Sequence, residues 1–252
     1  MDKKTIVISL LLGIAANAVF AALVRIISVP EYVRWGLTTV LLLILPFVTV
    51  YYLQLTKYGL VRVWEARAAK FSLSQQLLSS SKSLCFLGVS ARTIMQPQVE
   101  AAIRQKLLTN HEYSIKLLLF DRNETEKLRR RALEETGDPD TAEEWAKSMT
   151  ATIQMVLRIK KSLGKAGERL HIKTYRSFPV FRILIVDDNR VMVNFYATGR
   201  FPSQSPCLEV RNPSNPNSFA YCLYKHFDEL WREADTVQEE MNSRTAAPTD
   251  TV

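Results

Sequence analysis

Two short polar segments of the chain carry residue types that hold phosphate groups in proteins. Each follows an apolar run that predicts a buried strand, one over residues 84–89 and the other over residues 114–120. The residues concerned, in chain order, are Gly88 near the end of the first run, Ser90, Arg92, Asp121 and Arg122. Glycine allows close backbone approach, and hydroxyl and guanidinium groups donate hydrogen bonds to phosphate oxygens. The alternative is two strand-end turns with solvated arginines.

The three histidines form no catalytic arrangement in the sequence. His171 and Lys173 lie one residue apart on a predicted strand, His111 lies in a turn and His226 on the last helix. We interpret His171 as a strand histidine whose polar edge is satisfied. No Ser-His-Asp spacing, metal-ligand cluster or glycine-rich phosphate loop is present, so we expect neither a metal nor a cofactor.

The three cysteines, Cys85, Cys207 and Cys222, have a spacing that fits no zinc site. The first two lie in predicted strands and the third on a predicted helix. We therefore expect buried, reduced thiols in a cytoplasmic domain.

Hydrophobic periodicity and turn residues predict the elements that must position these side chains. Predicted strands cover residues 84–89, 114–120, 169–175, 181–186, 191–197 and, as a short edge strand, 208–211. Predicted helices cover residues 97–108, 124–136, 141–163 and 216–237, the third opening on a capping box formed by Thr141 and Glu144. The order β-α-β-α-α-β-β-β-β-α predicts an α/β domain, a mixed sheet with flanking helices.

Two uncharged apolar runs near the N-terminus indicate a membrane protein. Residues 5–24 and 35–55 are 20 and 21 residues long, and about 20 residues are needed to cross the hydrocarbon core as a helix. The sequence thus predicts a two-helix transmembrane hairpin over residues 1–56. A secretory signal peptide with a cleavage site at Ala16-Asn17-Ala18 is the alternative, but the apolar run continues to residue 24.

The distribution of positive charge predicts the orientation of the hairpin. Six Lys and Arg residues flank its open ends and two lie in the short loop, which places both termini in the cytoplasm, in a bacterial inner membrane. Residues 1–80 hold 8 Lys/Arg and 3 Asp/Glu, which leaves 25 and 22 for residues 81–252. The excess of positive charge in residues 1–80 favours contact with anionic lipid headgroups. The small excess in residues 81–252 makes nucleic acid an unlikely partner.

The rest of the chain divides into three predicted parts. Residues 57–80 look helical and are expected to form a juxtamembrane stalk. Residues 81–237 hold the α/β domain, and the polar residues 238–252 are expected to be a disordered tail.

The predicted strand, hairpin and final helix resemble one half of the phospholipase D superfamily, whose motif is H-x-K-x4-D-x6-G-S-x-N. The resemblance covers roughly residues 82–235 and is anchored on Asp188. It places Phe181 and Ile183 at the positions of the family's nucleophilic histidine and phosphate-binding lysine. Since neither side chain can attack phosphorus or hold its oxygens, the resemblance implies an inactive site.

The same alignment places residues 195–198 at the G-S-x-N positions. Their polar members, Tyr196 and Thr198, join the five residues named above as the candidate ligand-binding set. Because the superfamily pairs two half-domains and this chain has one, the resemblance also implies a homodimer or larger oligomer.

These observations favour a non-catalytic, membrane-anchored sensor or interaction module, with a membrane effector as one form of it. Its cytoplasmic domain would bind a nucleotide, another phosphorylated ligand or a protein partner and couple that event to the helices. The alternatives are a divergent phosphodiesterase or nuclease of the same superfamily and a purely structural membrane protein.

Overall fold

The computed structural model describes residues 58–64, 73–89, 92–196, 205–211 and 213–237, together with Gly199 and separate positions between 30 and 55. The chain divides into two compact units, Met1–Tyr58 and Gly59–Val252. The first predicted span and much of the second lie outside the described residues. Among the residues that are described, no helix has the length and apolar character needed to cross a membrane.

The second unit contains eight described strands and five described α-helices. The strands are β1 (Leu60–Trp64), β2 (Ser83–Gly88), β3 (Ser114–Phe120), β4 (Leu170–Tyr175), β5 (Phe181–Val186), β6 (Arg190–Phe195), β7 (Cys207–Arg211) and β8 (Asp235–Thr236). The helices are α1 (Leu73–Ser79), α2 (Pro97–Thr109), α3 (Thr125–Thr136), α4 (Thr141–Ser162) and α5 (Phe219–Glu233). Short 3-10 helices precede α2 and β4, at Arg92–Met95 and Gly164–Arg169.

The strands form one sheet in the order β1-β7-β6-β5-β2-β3-β4-β8. The central strands β2, β3 and β4 are parallel, and the other pairs are antiparallel. Consequently β2, β3 and β4 end at one edge of the sheet, and β6 ends there as well. The predicted mixed sheet with flanking helices is confirmed.

Each face of the sheet is covered by its own hydrophobic core. One core joins α1, α2 and the second half of α4 to residues such as Leu117 and Ile172. The other joins α3, the start of α4 and α5 to Leu118, Ile183 and Val193. This alternation along each strand is the period-2 pattern of a sheet buried on both faces.

The predicted stalk helix over residues 57–80 is wrong over residues 60–64, whereas residues 73–79 do form a helix, α1. Residues 60–64 form β1, an edge strand that pairs with β7. Its sequence, Leu-Val-Arg-Val-Trp, is rich in β-branched side chains, which suit a strand. Helix α1 buries Leu73 and Leu77 in the first core, so the α/β unit begins well before residue 81. It follows that β7 is an interior strand, and the predicted edge position for residues 208–211 is also wrong.

Two smaller predictions concern element ends. The capping box is wrong, because Asp140 precedes α4 without a side-chain cap and the Thr141 hydroxyl donates to the Asp138 carboxylate at 3.2 Å. The predicted turn between β5 and β6 is confirmed, with Asp187 and Asp188 both at φ 54°. Two consecutive residues of positive φ are the signature of a tight hairpin turn whose twist matches that of the strands. The predicted tail, residues 238–252, lies outside the described residues.

Candidate ligand-binding site at the carboxyl edge of the sheet

We call the edge where β2, β3 and β4 end the carboxyl edge. It brings together most of the described candidates from the sequence, since Gly88 ends β2, Asp121 and Arg122 follow β3, and Tyr196 follows β6. Arg92 lies in the 3-10 helix after β2. Two further candidates, Ser90 and Thr198, lie outside the described residues.

Tyr196 contacts the backbone just after β2. The Val89 backbone N–H donates to the Tyr196 hydroxyl at 3.1 Å. Burial raises the pKa of Tyr196 to about 12, against the opposing effect of this hydrogen bond. A Cβ atom on Gly88 would lie 2.8 Å from Cζ of Phe86, so Gly88 is needed here for packing.

The two arginines of the candidate set bind side chains of α4. Arg92 donates through Nε to Ser148 Oγ at 3.3 Å and lies 3.8 Å from the Glu144 carboxylate. Arg122 Nη1 donates to Thr150 Oγ1 at 2.6 Å. Both guanidinium groups are therefore held along the first half of α4, where a ligand at the carboxyl edge would have to compete for them.

Asp121 is buried and stabilises the turn after β3. Its Oδ1 accepts from the Asn123 backbone N–H at 2.9 Å, and its Oδ2 lies 3.5 Å from Arg176 Nε. Arg176 also donates to the Asp235 carboxylate at 2.8 Å. Beside this bridge is a cavity of about 150 Å³, lined in part by Tyr175, Arg176 and Asp235. The contacts of Asp121 are those of a turn residue.

A buried ion pair on α3 was missed by the sequence interpretation. Arg131 Nε donates to Glu135 Oε1 at 2.7 Å, with side chains 4% and 2% exposed. The Arg131 guanidinium also lies 4.7 Å from the centre of the Tyr196 ring. In the sequence, the basic run Lys127, Arg129, Arg130 and Arg131 lies among four glutamates and predicts a solvated helix face. Helical periodicity from Leu128, however, puts positions 131, 132 and 135 on the same buried side.

Arg131, Glu135, Tyr175 and Tyr196 together form what we call the Arg131 cluster. Two of its buried atoms, Arg131 Nη2 and the Tyr175 hydroxyl, have no hydrogen-bond partner among the described residues. Burial raises the pKa of Tyr175 well above its usual value, and Tyr196 raises it further. The cluster therefore keeps hydrogen-bonding capacity at a place shielded from water.

The positions that the resemblance assigns to catalysis lie in an apolar layer at the same edge. The Phe181 ring meets those of Phe195 and His226 edge to face, at 5.4 and 5.8 Å between centroids. Ile183 is fully buried in the second core. Among the described histidines, His226 contacts this layer, through the phenyl ring of Phe181.

The remaining candidate groups lie elsewhere. His171 is on β4, and burial together with Lys160 and Lys116 lowers the pKa of its imidazole. Cys85 and Cys207 are buried free thiols, whereas Cys222 is exposed on α5, so the expectation of a third buried thiol is wrong. In the described part of the chain, no group of His, Cys, Asp and Glu side chains could hold a metal ion.

Comparisons with known proteins identify partial structural similarities. No protein-family model matches the sequence, and no curated protein matches it. A similar solved structure is TrmBL2, an archaeal chromatin protein with a novel mode of DNA binding, at a TM-score of 0.38 and 13% identity over 70% of this chain and 55% of that one.

Two further solved structures with partial similarity are Nuc and a phosphatidylserine synthase. Nuc from Salmonella typhimurium, a phospholipase D family member, has a TM-score of 0.40 and 12% identity over 70% of this chain and 97% of that one. Phosphatidylserine synthase from Haemophilus influenzae Rd KW20 has a TM-score of 0.42 and 8% identity over 69% of this chain and 39% of that one. This chain thus spans little more than half of the chromatin protein and less than half of the synthase. With TM-scores below 0.5, these similarities identify neither a family nor an activity.

Proposed function

We propose that the chain is a membrane-anchored module without catalytic activity, whose α/β domain is a degenerate phospholipase D-like half. The observation that carries this proposal is the apolar layer at the carboxyl edge. Phe181 and Ile183 stand where the resemblance requires an imidazole nucleophile and a phosphate-binding ammonium, and both are packed against apolar or aromatic groups. A phosphodiesterase at this place would need a nucleophile and a cation in contact with the phosphorus centre.

The proposed role is to bind a phosphorylated ligand or a protein partner at the carboxyl edge and to couple this binding to two N-terminal membrane helices. Three arginines at this edge support an anionic ligand. Arg92 donates to the Ser148 hydroxyl and lies 3.8 Å from the Glu144 carboxylate, and Arg122 donates to the Thr150 hydroxyl. Arg131 Nη2 has no hydrogen-bond partner among the described residues. Guanidinium groups suit phosphate because of their planar fork of donors.

Self-association is part of the proposal. Leu133, Val180 and Phe195 are 52%, 51% and 39% exposed. The last two flank the Phe181 layer, since Val180 accepts the Tyr196 backbone N–H through its carbonyl oxygen at 3.2 Å. Apolar side chains of this size favour burial against another surface, and a two-fold homodimer is the commonest way to achieve it. Light scattering of the full-length protein in detergent tests this part, and a monomer at tens of micromolar would contradict it.

The membrane part of the proposal has its own test. We expect both termini on the cytoplasmic side of a bacterial inner membrane, because of the charge distribution around the predicted hairpin. Reporter fusions at residues 30 and 80 should report opposite sides, with residue 80 inside. A signal from outside at residue 80 would contradict this orientation.

The central experiment measures turnover and binding on the same full-length protein. We expect no hydrolysis of a chromogenic phosphodiester above a protein-free blank. We also expect a rise in the melting temperature with at least one nucleotide, cyclic dinucleotide or phospholipid headgroup, since a ligand at 100 times its Kd stabilises by about 2.7 kcal/mol.

Matched variants separate binding from turnover. Arg122→Gln should abolish the ligand-induced rise, while Lys147→Gln, an exposed charge loss on the same helix that Arg122 contacts, should leave it unchanged. Hydrolysis that copurifies with the protein and disappears in Arg122→Gln would identify the divergent phosphodiesterase instead. A melting temperature that no compound changes would contradict a ligand sensor.

A further inference from the structure

A second polar site lies on the sheet face that carries the second core, towards the starts of β3 and β4. Lys116 is opposite His171 in the register of these two strands, and Lys173 follows two residues later on the same face. Further along, this face carries Leu118 and Phe120, both buried. His171 is exposed and both lysines are only half-buried, so the helices that cover the core leave this corner accessible.

Trp231 of α5 holds the two lysines in place. The ammonium groups of Lys116 and Lys173 lie 5.6 and 5.2 Å from the centre of the indole ring. Lys173 Nζ also donates to the Trp231 carbonyl oxygen at 2.9 Å, and the Phe227 ring stacks on the indole at 5.9 Å. The positions of the two cations are therefore fixed by the fold, and little side-chain entropy remains to be lost when they bind an anion.

The positive charge of this corner is not compensated. Within the described part of the chain, Lys116 and Lys173 form no ion pair. Burial lowers the pKa of His171, and the positive charges of Lys160 and Lys116 lower it further.

Two carboxylates act on the neighbouring part of this face, where both affect Tyr224. One, Asp228, is paired with Arg232 at 2.9 Å. The other is Asp188, in the turn after β5. The two lysines of this face, Lys116 and Lys173, therefore stand against a single unpaired carboxylate among the described residues, that of Asp188.

We propose that Lys116, His171, Lys173 and Trp231, the lysine–tryptophan site, bind a phosphate group. Two ammonium groups beside one indole ring favour a multiply charged anion over a carboxylate, and lysine binds phosphate as a point charge. The group is carried by a soluble phosphoryl compound or by a lipid headgroup, which share this chemistry. The site lies towards the opposite ends of β3 and β4 from the carboxyl edge, so it goes beyond the proposed function and does not depend on it.

The test is a calorimetric titration of the full-length protein at low ionic strength with two probes. Inorganic pyrophosphate represents the soluble source, and dihexanoyl phosphatidic acid represents the headgroup. If only one probe binds, that probe identifies the natural source of the phosphate group. If both bind, the site recognises the phosphate group that the two probes share. We expect Lys116→Gln to weaken binding about tenfold or more, the cost of one charge-assisted hydrogen bond.

Three variants serve as controls. Lys116→Arg keeps the positive charge and should bind nearly as well as the parent, which separates an effect of charge from an effect on folding. Lys147→Gln removes an exposed charge outside the site and should bind like the parent. Arg122→Gln alters the carboxyl edge and should also leave the affinity unchanged. In addition, bound pyrophosphate should raise the pKa of His171 measured by NMR, because an anion offsets the effect of the two lysines.

The contrary results are equally distinct. Absence of binding by both probes would overturn the proposal, as would an equal loss of affinity in Lys116→Gln and Lys147→Gln. Binding that is lost in Arg122→Gln and kept in Lys116→Gln would place the phosphate at the carboxyl edge, which overturns the lysine–tryptophan site while supporting the proposed function.

Discussion

At the amino edge of the sheet, where β2 begins and β5 ends, the Asp187 carboxylate is held by backbone, whereas at the carboxyl edge the Glu135 carboxylate is held by one side chain. Asp187 Oδ1 accepts from the backbone N–H groups of Ser81, Lys82 and Ser83 at 2.9, 2.7 and 3.1 Å. Glu135 accepts from Arg131 at 2.7 Å. Burial raises the pKa of both carboxyl groups. For Asp187 the hydrogen bonds outweigh burial and lower the pKa below its usual value, but for Glu135 the pKa remains raised.

This difference separates a structural edge from an adaptable one. Loss of the Asp187 contacts would remove the acceptor of three consecutive backbone N–H groups at the start of β2, so the turn after β5 ties these two strands together. The Arg131–Glu135 pair can be rearranged by side-chain motion alone, and it lies beside a Tyr175 hydroxyl that has no partner among the described residues. Ligand binding at the carboxyl edge is therefore compatible with an intact amino edge.

The largest expected effect comes from removing Arg131. Arg131→Ala leaves the Glu135 carboxylate buried without its cation, which we expect to cost about 3–5 kcal/mol of unfolding free energy. Urea denaturation of the full-length protein measures the change. Arg129→Ala is the control, because Arg129 is 65% exposed and 4.0 Å from its nearest carboxylate partner, Asp140, and it should change stability by less than about 0.5 kcal/mol.

A double variant sharpens the result. Arg131→Met combined with Glu135→Leu removes both buried charges and should recover most of the stability that Arg131→Ala loses. If Arg131→Ala and Arg129→Ala have the same small effect, the pair is not buried as described, and the contrast between the two edges fails.

The second effect concerns Asp187 and depends on pH. Because its pKa is lowered in the folded state, its stabilisation is present above the unfolded value, about 3.9, and is lost as the pH falls through the folded value. Asp187→Asn should cost about 2 kcal/mol at pH 7, from weakened hydrogen bonds to backbone amides. Asparagine tolerates the φ of 54° at this position, so the change tests the charge and not the turn.

Asp188→Asn is the matched control for this variant. Asp188 has the same φ of 54° in the same turn but is exposed, and its substitution should be nearly neutral. Chemical denaturation from pH 7 to pH 3 should show the two Asn variants converging in stability at the acid end. A difference that stays constant with pH would show that the Asp187 contacts do not depend on its charge.

The sequence predicts the central sheet well because its signals are local. The bounds predicted for β3 and β5 agree with the structure, since both are short, buried apolar runs that end in polar turn residues. In contrast, β1 is identified only through its partner β7, about 150 residues away. When a five-residue segment fits either a helix or a strand, such tertiary pairing decides which of the two it forms.

The candidate site is predicted in place but not in detail. Alternation of strands and helices predicts Gly88 and Asp121 at one edge, and the structure places both there. Tyr196, a candidate only through the resemblance, lies at the same edge. Their contacts, such as the one from Val89 to Tyr196, join residues 107 positions apart and leave no local pattern. The burial of Arg131 was readable from helical periodicity, but the abundance of neighbouring charges favoured a solvated face.

The smallest expected effect compares two tyrosines of the Arg131 cluster, Tyr175 and Tyr196, that differ in one hydrogen bond. The Tyr196 hydroxyl accepts from the Val89 backbone N–H, whereas the Tyr175 hydroxyl has no partner among the described residues. Tyr196→Phe leaves the Val89 amide unsatisfied and should cost about 1 kcal/mol of unfolding free energy. Tyr175→Phe removes a buried polar group that gains nothing in the free protein, so stability should stay within about 0.5 kcal/mol or rise.

The same pair of variants distinguishes a ligand site from a packing defect. If a ligand binds at the carboxyl edge and uses the free hydroxyl, Tyr175→Phe should weaken it about fivefold to tenfold while leaving the free protein as stable as before. Thermal unfolding with and without the compound that stabilises the parent measures both quantities in one experiment. Tyr175→Phe that binds like the parent would show that its hydroxyl faces no ligand, and a destabilised Tyr175→Phe would show that the hydroxyl already has a partner. In either case the carboxyl edge would be as fully satisfied as the amino edge, and its adaptability would have to come from Arg131 alone.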